Sequence, residues 1–214
     1  MLASFGMDTT PIQPEVDALY QEALAAFDAL LAAARASGDP EPTAMTLATA
    51  DADGRVSARM VLLKGVDARG FRFFTNYDSA KAEQLDANPQ AALCFHWKRA
   101  APHAQVQVRV EGRVGKLPAA ESDAYFATRA RGSQVGAWAS LQSQPLADRD
   151  EFERAVDAVE RRFEGVTIPR PPNWGGYLLV PDRIEFWYGA EHRLHERQLY
   201  RREGEAWTRG MLYP

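Results

Sequence analysis

Residues 105–114 read QVQVRVEGRV, and this stretch alternates apolar with polar side chains. One face would carry Val106, Val108 and Val110, and the other would carry Gln107, Arg109 and Glu111. A period of two is typical of a β-strand that buries one face and exposes the other. The stretch therefore predicts a half-exposed strand and indicates a β-rich fold.

Further strand candidates follow one another on both sides of this segment. They lie at residues 43–51, 55–64, 71–74 and 91–97 upstream, and at residues 174–180, 184–188 and 194–201 downstream. Asp51-Ala52-Asp53-Gly54 has the composition of a hairpin connection. Strands in hairpin-like succession favour an antiparallel barrel or sandwich over a parallel doubly wound sheet. No strand candidate leads into a GxGxxG or a GxxxxGK[ST] loop, so Rossmann and P-loop folds lose their main support.

Helical patterns occur only between or outside these strands. They are predicted from Pro14 to the Gly38-Asp39-Pro40 stop, and at residues 79–87, 118–131 and 148–163. The first 13 residues show no periodicity and are expected to form a flexible tail. Residues 14–214 are expected to form one domain, with residues 172–214 as its C-terminal segment.

Composition excludes several classes of protein. The 214 residues carry 25 Lys and Arg against 29 Asp and Glu, a formal charge of −4, and 46% are hydrophobic. This is ordinary globular composition, and the acidic balance argues against a dedicated nucleic-acid binder. No apolar run is long enough to cross a bilayer, and the first residues lack the pattern of a secretory signal. The single cysteine, Cys94, sits in an apolar run and is expected to be a buried thiol, which favours the cytoplasm.

A metal site is not expected. The chain has four histidines, no HExxH, and a cysteine without a partner. His192 and His195 are three residues apart, a spacing that on a strand places them on opposite faces. No GxSxG surrounds a serine, so a hydrolase of that type is unsupported.

Several basic residues near turns could hold an anion. Arg59 and Lys64 bracket one strand candidate, and Lys81 lies in the first turn of a predicted helix, where backbone N–H groups attract anions. On spacing alone, Lys81 is more simply explained as a solvated lysine on a helix than as an anion-binding residue. Tyr125 and Arg129 are four residues apart on one predicted helix and share a face. Their pattern fits a phosphate site or an amphipathic surface equally well.

The segment 129–144 continues this set. Ser133 would extend the face of Arg129 into the next turn and add a hydroxyl. Gln142 and Ser143 could hold a phosphate or a ring edge, although such residues are also common in plain loops.

The segment from Arg193 to Arg197 has the strongest concentration of cation-forming groups. On a strand, Arg193, His195 and Arg197 would point to one face. Three aligned groups of this kind repel one another unless an anion or a carboxylate such as Glu191 or Glu196 lies among them. We favour a functional interpretation here.

Nine segments, taken in order, match a known family. They are Arg59-Met-Val-Leu-Leu-Lys64, Phe74-Thr75-Asn76-Tyr77, Gln107-Val-Arg-Val-Glu-Gly112, Tyr125-Phe-x-x-Arg129, Ser133-Gln-x-Gly-Ala-Trp138-Ala-Ser, Gln142-Ser143, Trp174-Gly-Gly, Glu185-Phe-Trp187 and Arg193-Leu-His195. The chain resembles the pyridoxine/pyridoxamine 5′-phosphate oxidase family from about Glu41 to its C-terminus. No single segment is decisive, but the ordered set is highly specific.

The resemblance implies a homodimeric, Greek-key split β-barrel with peripheral helices and two FMN sites at the dimer interface. It implies that a hydride passes from C4′ of pyridoxamine or pyridoxine 5′-phosphate to FMN, and that O2 reoxidises the flavin and yields H2O2. The amine substrate would give an imine that water hydrolyses with release of ammonia. Both substrates would converge on pyridoxal 5′-phosphate, the active form of vitamin B6.

The resemblance also implies roles for individual residues. Expected FMN contacts are Arg59, Met60, Val61, Leu62, Leu63, Lys64, Phe74, Thr75, Lys81, Gln107, Gln142, Ser143, Trp187 and Arg197. The expected substrate contacts are Lys64, Tyr125, Arg129, Ser133, Arg193, Leu194 and His195. Arg193 and His195 would position the substrate over the flavin, and Arg197 would tune the flavin or contact the substrate.

The chain departs from the family pattern at several positions. Residues 79–81 read Ser-Ala-Lys where the family usually has Ser-Arg-Lys, so Ala80 replaces an FMN-phosphate arginine. Tyr188 stands where glutamine is common and Glu196 where aspartate is common, and the spacing between Trp97 and Gln107 is longer than usual. The Arg-x-x-Tyr segment that often closes over the substrate is not recognisable.

Two other functions stay open on the sequence alone. One is a related split-barrel flavoenzyme that acts on a phenazine-type ring. The other is a non-catalytic protein that binds FMN or pyridoxal phosphate as a carrier or sensor. The phosphate set of Tyr125, Arg129 and Ser133 favours the oxidase, because a substrate without a phosphate would not need it.

Overall fold

One antiparallel sheet contains all nine strands of residues 17–214, the part of the chain that the computed structural model describes. The strands are β1 (Ala44–Ala50), β2 (Val56–Leu62), β3 (Gly65–Asp67), β4 (Gly70–Asn76), β5 (Gln90–Trp97), β6 (Val106–Lys116), β7 (Trp174–Tyr188), β8 (Glu196–Glu203) and β9 (Ala206–Leu212). The helices are α1 (Ala18–Ala36), α2 (Ala80–Ala87), α3 (Ala119–Ala127), α4 (Arg131–Ala139) and α5 (Arg149–Arg162).

The long strand β7 organises the sheet. The strand order is β2-β1-β5-β6-β7-β4-β3. β6 pairs along nearly the whole of β7, whereas β4 pairs with its first half and β8 with its second half. β9 extends the sheet beyond β8. The predicted antiparallel β-barrel with peripheral helices is confirmed.

Helix α1 covers the main core. Asp17 caps it, with its carboxylate accepting from the backbone N–H of Leu19 at 2.8 Å. The fully buried Phe27 meets the rings of Phe71 and Phe95 edge-on, each at a centroid distance of 5.0 Å. The predicted tail, residues 1–13, and the predicted helix start at Pro14 lie outside the described residues.

A second, smaller core lies under α3, α4 and α5. Its buried members are Phe126, Val135, Phe163, Ile168 and Trp174. This cluster fixes the helical layer against the start of β7, and so places α3 and α4 beside β4.

Two predicted strands, residues 174–180 and 184–188, are one strand in the structure. The Pro181 that separated them in sequence is accommodated by a bulge, where the register with β6 shifts between Glu111 and Gly112. A Cβ on Gly112 would lie 2.1 Å from the carbonyl oxygen of Val180, so only glycine allows this close approach.

The predicted helix 118–131 is also divided differently. It ends at Ala127, and a new helix begins at Arg131. In addition, strand β5 buries only alternate side chains. Cys94 is half-buried, so the expectation of a buried thiol was wrong.

Among the helices of residues 17–214, none combines the length and apolarity that a bilayer crossing needs.

Candidate active site

A cleft of about 500 Å³ opens between β2, β4 and the helical layer. Its size is that of a cofactor or small-ligand pocket. It is lined by Met60, Val61, Leu62, Lys64, Phe74, Thr75, Asn76, Lys81, Tyr125, Arg129, Ala130, Ser133, Gln142 and Trp174. Two groups of polar side chains and a wall of aromatic rings make up most of this lining.

Lys81 forms the centre of the first polar group. Its Nζ lies 3.1 Å from the hydroxyl oxygens of both Thr75 and Ser79, and 2.6 Å from Oε1 of Gln142. Burial, with a smaller contribution from the charge of Arg59, lowers the pKa of Lys81 to about 8. This arrangement gathers an ammonium, two hydroxyls and an amide at one end of the cleft, which suits a phosphate group.

Arg59 supports this end from behind and does not line the cleft. Its Nη1 donates to the carbonyl oxygen of Leu47 at 3.2 Å and to the hydroxyl of Thr49 at 2.6 Å, and its Nη2 donates to Gln84 at 3.1 Å. Burial lowers the pKa of Arg59. The charge of Arg59 therefore affects the cleft by helping to lower the pKa of Lys81.

Arg129 forms the centre of the second polar group. Its Nη1 is buried and has no hydrogen-bond partner among the described residues. Burial lowers the pKa of Arg129, and its guanidinium lies 4.6 Å from the centre of the Trp174 ring. A buried N–H without a partner is costly, so this atom is suited to an anionic ligand. Lys64 and Ser133 line the same cleft.

Three stacked rings form the wall between the two groups. The Phe74 ring centroid lies 4.0 Å from that of Tyr125 and 5.5 Å from that of Trp174, with the rings nearly parallel. Burial raises the pKa of the Tyr125 phenol, which keeps it a neutral donor. A flat ring ligand would find an apolar surface here.

The break between α3 and α4 changes how the predicted phosphate set is assembled. Tyr125 lies on α3, Arg129 in the connection, and Ser133 on α4. The prediction of one continuous helix face was wrong, but the bend directs all three residues into the cleft.

The remaining predicted site residues do not line this cleft. Leu63 is a core residue with 4% exposure, and Ser143 follows Gln142 in a left-handed conformation with φ of 73°. A separate C-terminal cluster lies on β6, β7, β8 and the segment that leads into β8. It holds Gln107, Trp187, Arg193, Leu194, His195 and Arg197. Asn76, Ala130 and Trp174 line the cleft but were not predicted as site residues, although Asn76 and Trp174 belong to segments that carry the resemblance.

The register of the sheet builds the C-terminal cluster. Trp187 pairs with Gln107 on β6 and with Arg197 on β8. The His195 ring lies 4.5 Å from the Trp187 ring, and its Nδ1 accepts from the backbone N–H of Ala190 at 3.1 Å.

The prediction that residues 193, 195 and 197 share a strand face was wrong. Residues 191–193 form a short 3-10 turn, and Arg193 has a left-handed φ of 61°. The strand begins only at Glu196. Arg193 and Leu194 are instead exposed at the turn, where another surface could contact them.

A buried carboxylate that sequence reasoning missed holds Arg197. Glu185 is 2% exposed, and its Oε1 accepts from Nε of Arg197 at 2.9 Å. The carboxylates considered from the sequence as an alternative to a bound anion were Glu191 and Glu196. Glu185 lies twelve residues from Arg197 in sequence, and only the pairing of β7 with β8 brings them together.

The cleft and the C-terminal cluster lie at opposite ends of β7. Thirteen residues separate Trp174 from Trp187, which is about 43 Å along the strand at about 3.3 Å per residue. None of the residues of the C-terminal cluster lines the cleft of the same chain.

The described residues, 17–214, contain no group of three or more His, Cys, Asp or Glu side chains placed to hold a metal ion.

The fold and the cleft define this chain as a split-barrel protein of the FMN-binding type. Residues 28–163 match the family model described as pyridoxamine 5′-phosphate oxidase. Residues 174–214 match the model described as pyridoxine 5′-phosphate oxidase C-terminal dimerisation region. The chain belongs to the pyridoxamine 5′-phosphate oxidase family.

Individual relatives agree with this membership. A pyridoxine/pyridoxamine 5′-phosphate oxidase of Xanthomonas euvesicatoria pv. vesicatoria is 57% identical over 92% of this chain and 98% of its own length. One of Rubrobacter xylanophilus is 53% identical over all of this chain and 91% of its own length. The crystal structure of PhzG from Burkholderia lata 383, in complex with tetrahydrophenazine-1-carboxylic acid, has a TM-score of 0.84 and 31% identity, and covers 94% of this chain and 95% of that one.

Membership confirms the predicted class of enzyme. The family consists of FMN-dependent oxidoreductases, and the C-terminal region of this chain is the family's dimerisation region. The expectations of an FMN cofactor and a homodimer are confirmed at this level.

Proposed function

We propose that this chain oxidises pyridoxamine 5′-phosphate and pyridoxine 5′-phosphate to pyridoxal 5′-phosphate. The observation that carries the proposal is the unpartnered, buried Nη1 of Arg129 in the same cleft as the Lys81 group. One cleft thus offers two groups of side chains that can bind anions, together with an aromatic wall. This is what a phosphorylated cofactor and a phosphorylated substrate require when they lie side by side.

The donor set fits FMN. Lys81, Thr75 and Gln142 would hold its phosphate, and Met60, Val61 and Leu62 would lie along it with Lys64 and Phe74. Arg59 and Leu63 would support this side from behind the cleft, and Ser143 would lie next to Gln142. Bound FMN would supply the redox chemistry, accepting a hydride from substrate C4′ and delivering two electrons to O2 to give H2O2. With the amine substrate, water would hydrolyse the resulting imine and release ammonia.

Arg129 would hold the substrate phosphate. Its guanidinium is already fixed against the Trp174 ring, so little side-chain entropy is lost when a ligand binds. Lys64, Tyr125 and Ser133 would add a second cation and two hydroxyl donors. These residues bind and orient the substrate, and no residue of the chain needs to act as a general base for the hydride step.

The C-terminal cluster would act on a site of the partner subunit. Its position at the far end of β7 and its place within the family's dimerisation region both support this assignment. Arg193, Leu194 and His195 would lie over the substrate ring, and Gln107, Trp187 and Arg197 would contact FMN. Each active site would then be made from the cleft of one protomer and the cluster of the other.

A phenazine-type substrate has less support. The protein with that ligand in its crystal structure is 31% identical to this chain, whereas the oxidase of Xanthomonas euvesicatoria pv. vesicatoria is 57% identical. The phosphate-directed Arg129 also favours a phosphorylated substrate. We further propose a cytoplasmic location, which the single free thiol of Cys94 supports.

The test is an aerobic assay of the FMN-loaded protein with pyridoxamine 5′-phosphate, in which pyridoxal 5′-phosphate and H2O2 are measured together. We expect one H2O2 for each pyridoxal 5′-phosphate. The variant Arg129→Met should raise KM for the phosphorylated amine by at least about tenfold, because a charge-assisted hydrogen bond is lost. Its turnover of unphosphorylated pyridoxamine should stay unchanged. Bound flavin without turnover would refute the oxidase.

A further inference from the structure

Glu185 is a buried carboxylate surrounded by arginines. It lies on β7 with 2% exposure. Its Oε2 is 3.3 Å from Nη2 of Arg183 and 3.5 Å from Nη1 of Arg109, and its Oε1 accepts from Arg197. Carboxylates are rarely this buried unless they are paired, because removing the charge from water is costly. The burial of the Glu185 carboxylate therefore needs a different explanation from that of an ion pair on the surface.

The contact with Arg197 differs from the other two. Both Nε and Nη2 of Arg197 reach the same carboxylate oxygen, at 2.9 and 2.8 Å, and Nη1 donates to the carbonyl oxygen of Tyr213 at 2.9 Å. A guanidinium has five N–H groups in one plane. Two of them, one on Nη1 and one on Nη2, are not used in these contacts, and the side chain keeps 25% exposure. Arg197 is thus fixed on one side and open on the other.

We propose that Glu185 is a positioning residue for the active site: it holds Arg197 so that the two free N–H groups face FMN. The proposal rests on the proposed function, in which Arg197 contacts FMN. A long arginine side chain loses much rotational freedom when it binds a ligand, and a fixed guanidinium has already lost it. Glu185 would therefore strengthen FMN binding without touching the cofactor.

Glu111 provides a matched control within the same ion network. It contacts Arg109, and Arg183 at 4.0 Å, but it makes no contact with Arg197 in the structure. If Glu185 only neutralised charge in the sheet, Glu111→Gln and Glu185→Gln would act alike. If it positions Arg197, only Glu185→Gln changes FMN binding.

The experiment measures FMN affinity of the full-length dimer after removal of the cofactor, by the quenching of flavin fluorescence. The variants are Glu185→Gln, Glu111→Gln, Arg197→Met and the double variant Glu185→Gln/Arg197→Met. We expect Glu185→Gln to raise Kd by about tenfold, and Glu111→Gln to change it less than about twofold. In the Arg197→Met background, Glu185→Gln should have no further effect, because it acts through that arginine. The visible circular dichroism of bound flavin should change in Glu185→Gln and not in Glu111→Gln.

Each contrary result has a distinct meaning. A Kd of Glu185→Gln within twofold of the unchanged protein overturns the proposal, and so does an equal effect with and without Arg197. An Arg197→Met variant with unchanged Kd also overturns it, whereas failure of the unchanged protein to bind FMN refutes the proposed function itself. If Glu185→Gln does not fold, Glu185→Asp replaces it. The aspartate keeps the charge but is one methylene too short for Arg197, so the same rise in Kd is expected.

Discussion

At the scale of single residues, Lys81 should make FMN affinity depend on pH. Burial lowers the pKa of its ammonium to about 8. Above that pH the free protein loses the positive charge, while the FMN phosphate stays a dianion because its second pKa is about 6. We therefore expect Kd for FMN to rise between about pH 7 and about pH 9, as measured by flavin fluorescence titration.

The variant Lys81→Arg is the control for this prediction. An arginine keeps its charge over the whole range, so the Kd of Lys81→Arg for FMN should stay nearly constant with pH. A steep pH dependence of Kd in this variant would show that another group is responsible.

The same pKa shift affects the stability of the cofactor-free protein. Between the folded pKa of about 8 and the unfolded value of 10.5, the unfolded chain binds more protons. The free energy of unfolding should therefore rise with pH in that window, and Lys81→Arg should lack this contribution.

Ala80 is the residue where a substitution should improve binding. It is exposed at the first position of α2, next to Lys81, where the family usually has an arginine. Ala80→Arg would add a charge-assisted hydrogen bond to the FMN phosphate and should lower Kd by about tenfold. Ala80→Gln, with a side chain that carries no charge, should give little of this gain. An unchanged Kd in Ala80→Arg would mean that the FMN phosphate lies out of reach of this position.

At the scale of elements, the bulge between β6 and β7 depends on Gly112. A Cβ there would lie 2.1 Å from the carbonyl oxygen of Val180, so Gly112→Ala must push the strands apart. We expect it to lower the free energy of unfolding by about 1–3 kcal/mol, measured by urea denaturation. Gly115→Ala, in the same strand with no atom within 4 Å of the added Cβ, should cost much less. Equal effects of the two variants would contradict the assignment of strain to the bulge.

Local pattern was enough to predict most elements. The alternation in residues 105–114 predicted β6, and Ser79 as an N-cap together with the Asn88-Pro89 stop predicted α2. The failures lie where a tertiary contact overrides the local signal. Pro181 indicated the end of a strand, but the neighbouring Gly112 leaves room for the chain to continue as β7. No window of the sequence contains both residues.

The turn before β8 shows the same limit. Alternating charges at residues 193–197 are typical of a strand, yet Arg193 adopts a left-handed conformation that few non-glycine residues take. The resemblance to the family predicted which residues belong to the candidate site, but it did not predict the left-handed turn at Arg193. The resemblance includes Glu185 in one of its segments, but it could not reveal the pairing of Glu185 with Arg197, which depends on the register of β7 and β8.

At the scale of the whole molecule, the arrangement of the site explains why a dimer would be needed. The anion-binding cleft and the C-terminal cluster lie at the two ends of β7, and the cluster belongs to the family's dimerisation region. In the proposed arrangement, a two-fold axis would bring the cluster of one chain to the cleft of the other and would repeat the contact at the second site. Dissociation of the dimer should therefore remove activity even if each chain stays folded.

Mixing two impaired variants tests this sharing directly. Arg129→Met damages the cleft and Arg197→Met damages the C-terminal cluster. Each homodimer should have little activity when substrate and FMN are kept well below the raised KM and Kd of the variants. When equal amounts are unfolded and refolded together, half of the dimers should be mixed, and each of these has one site with both parts intact. About a quarter of the normal activity should return. If both parts came from the same chain, every site in the mixture would keep one damaged part, and mixing would restore nothing. Refolding each variant alone gives the baseline against which the gain is measured.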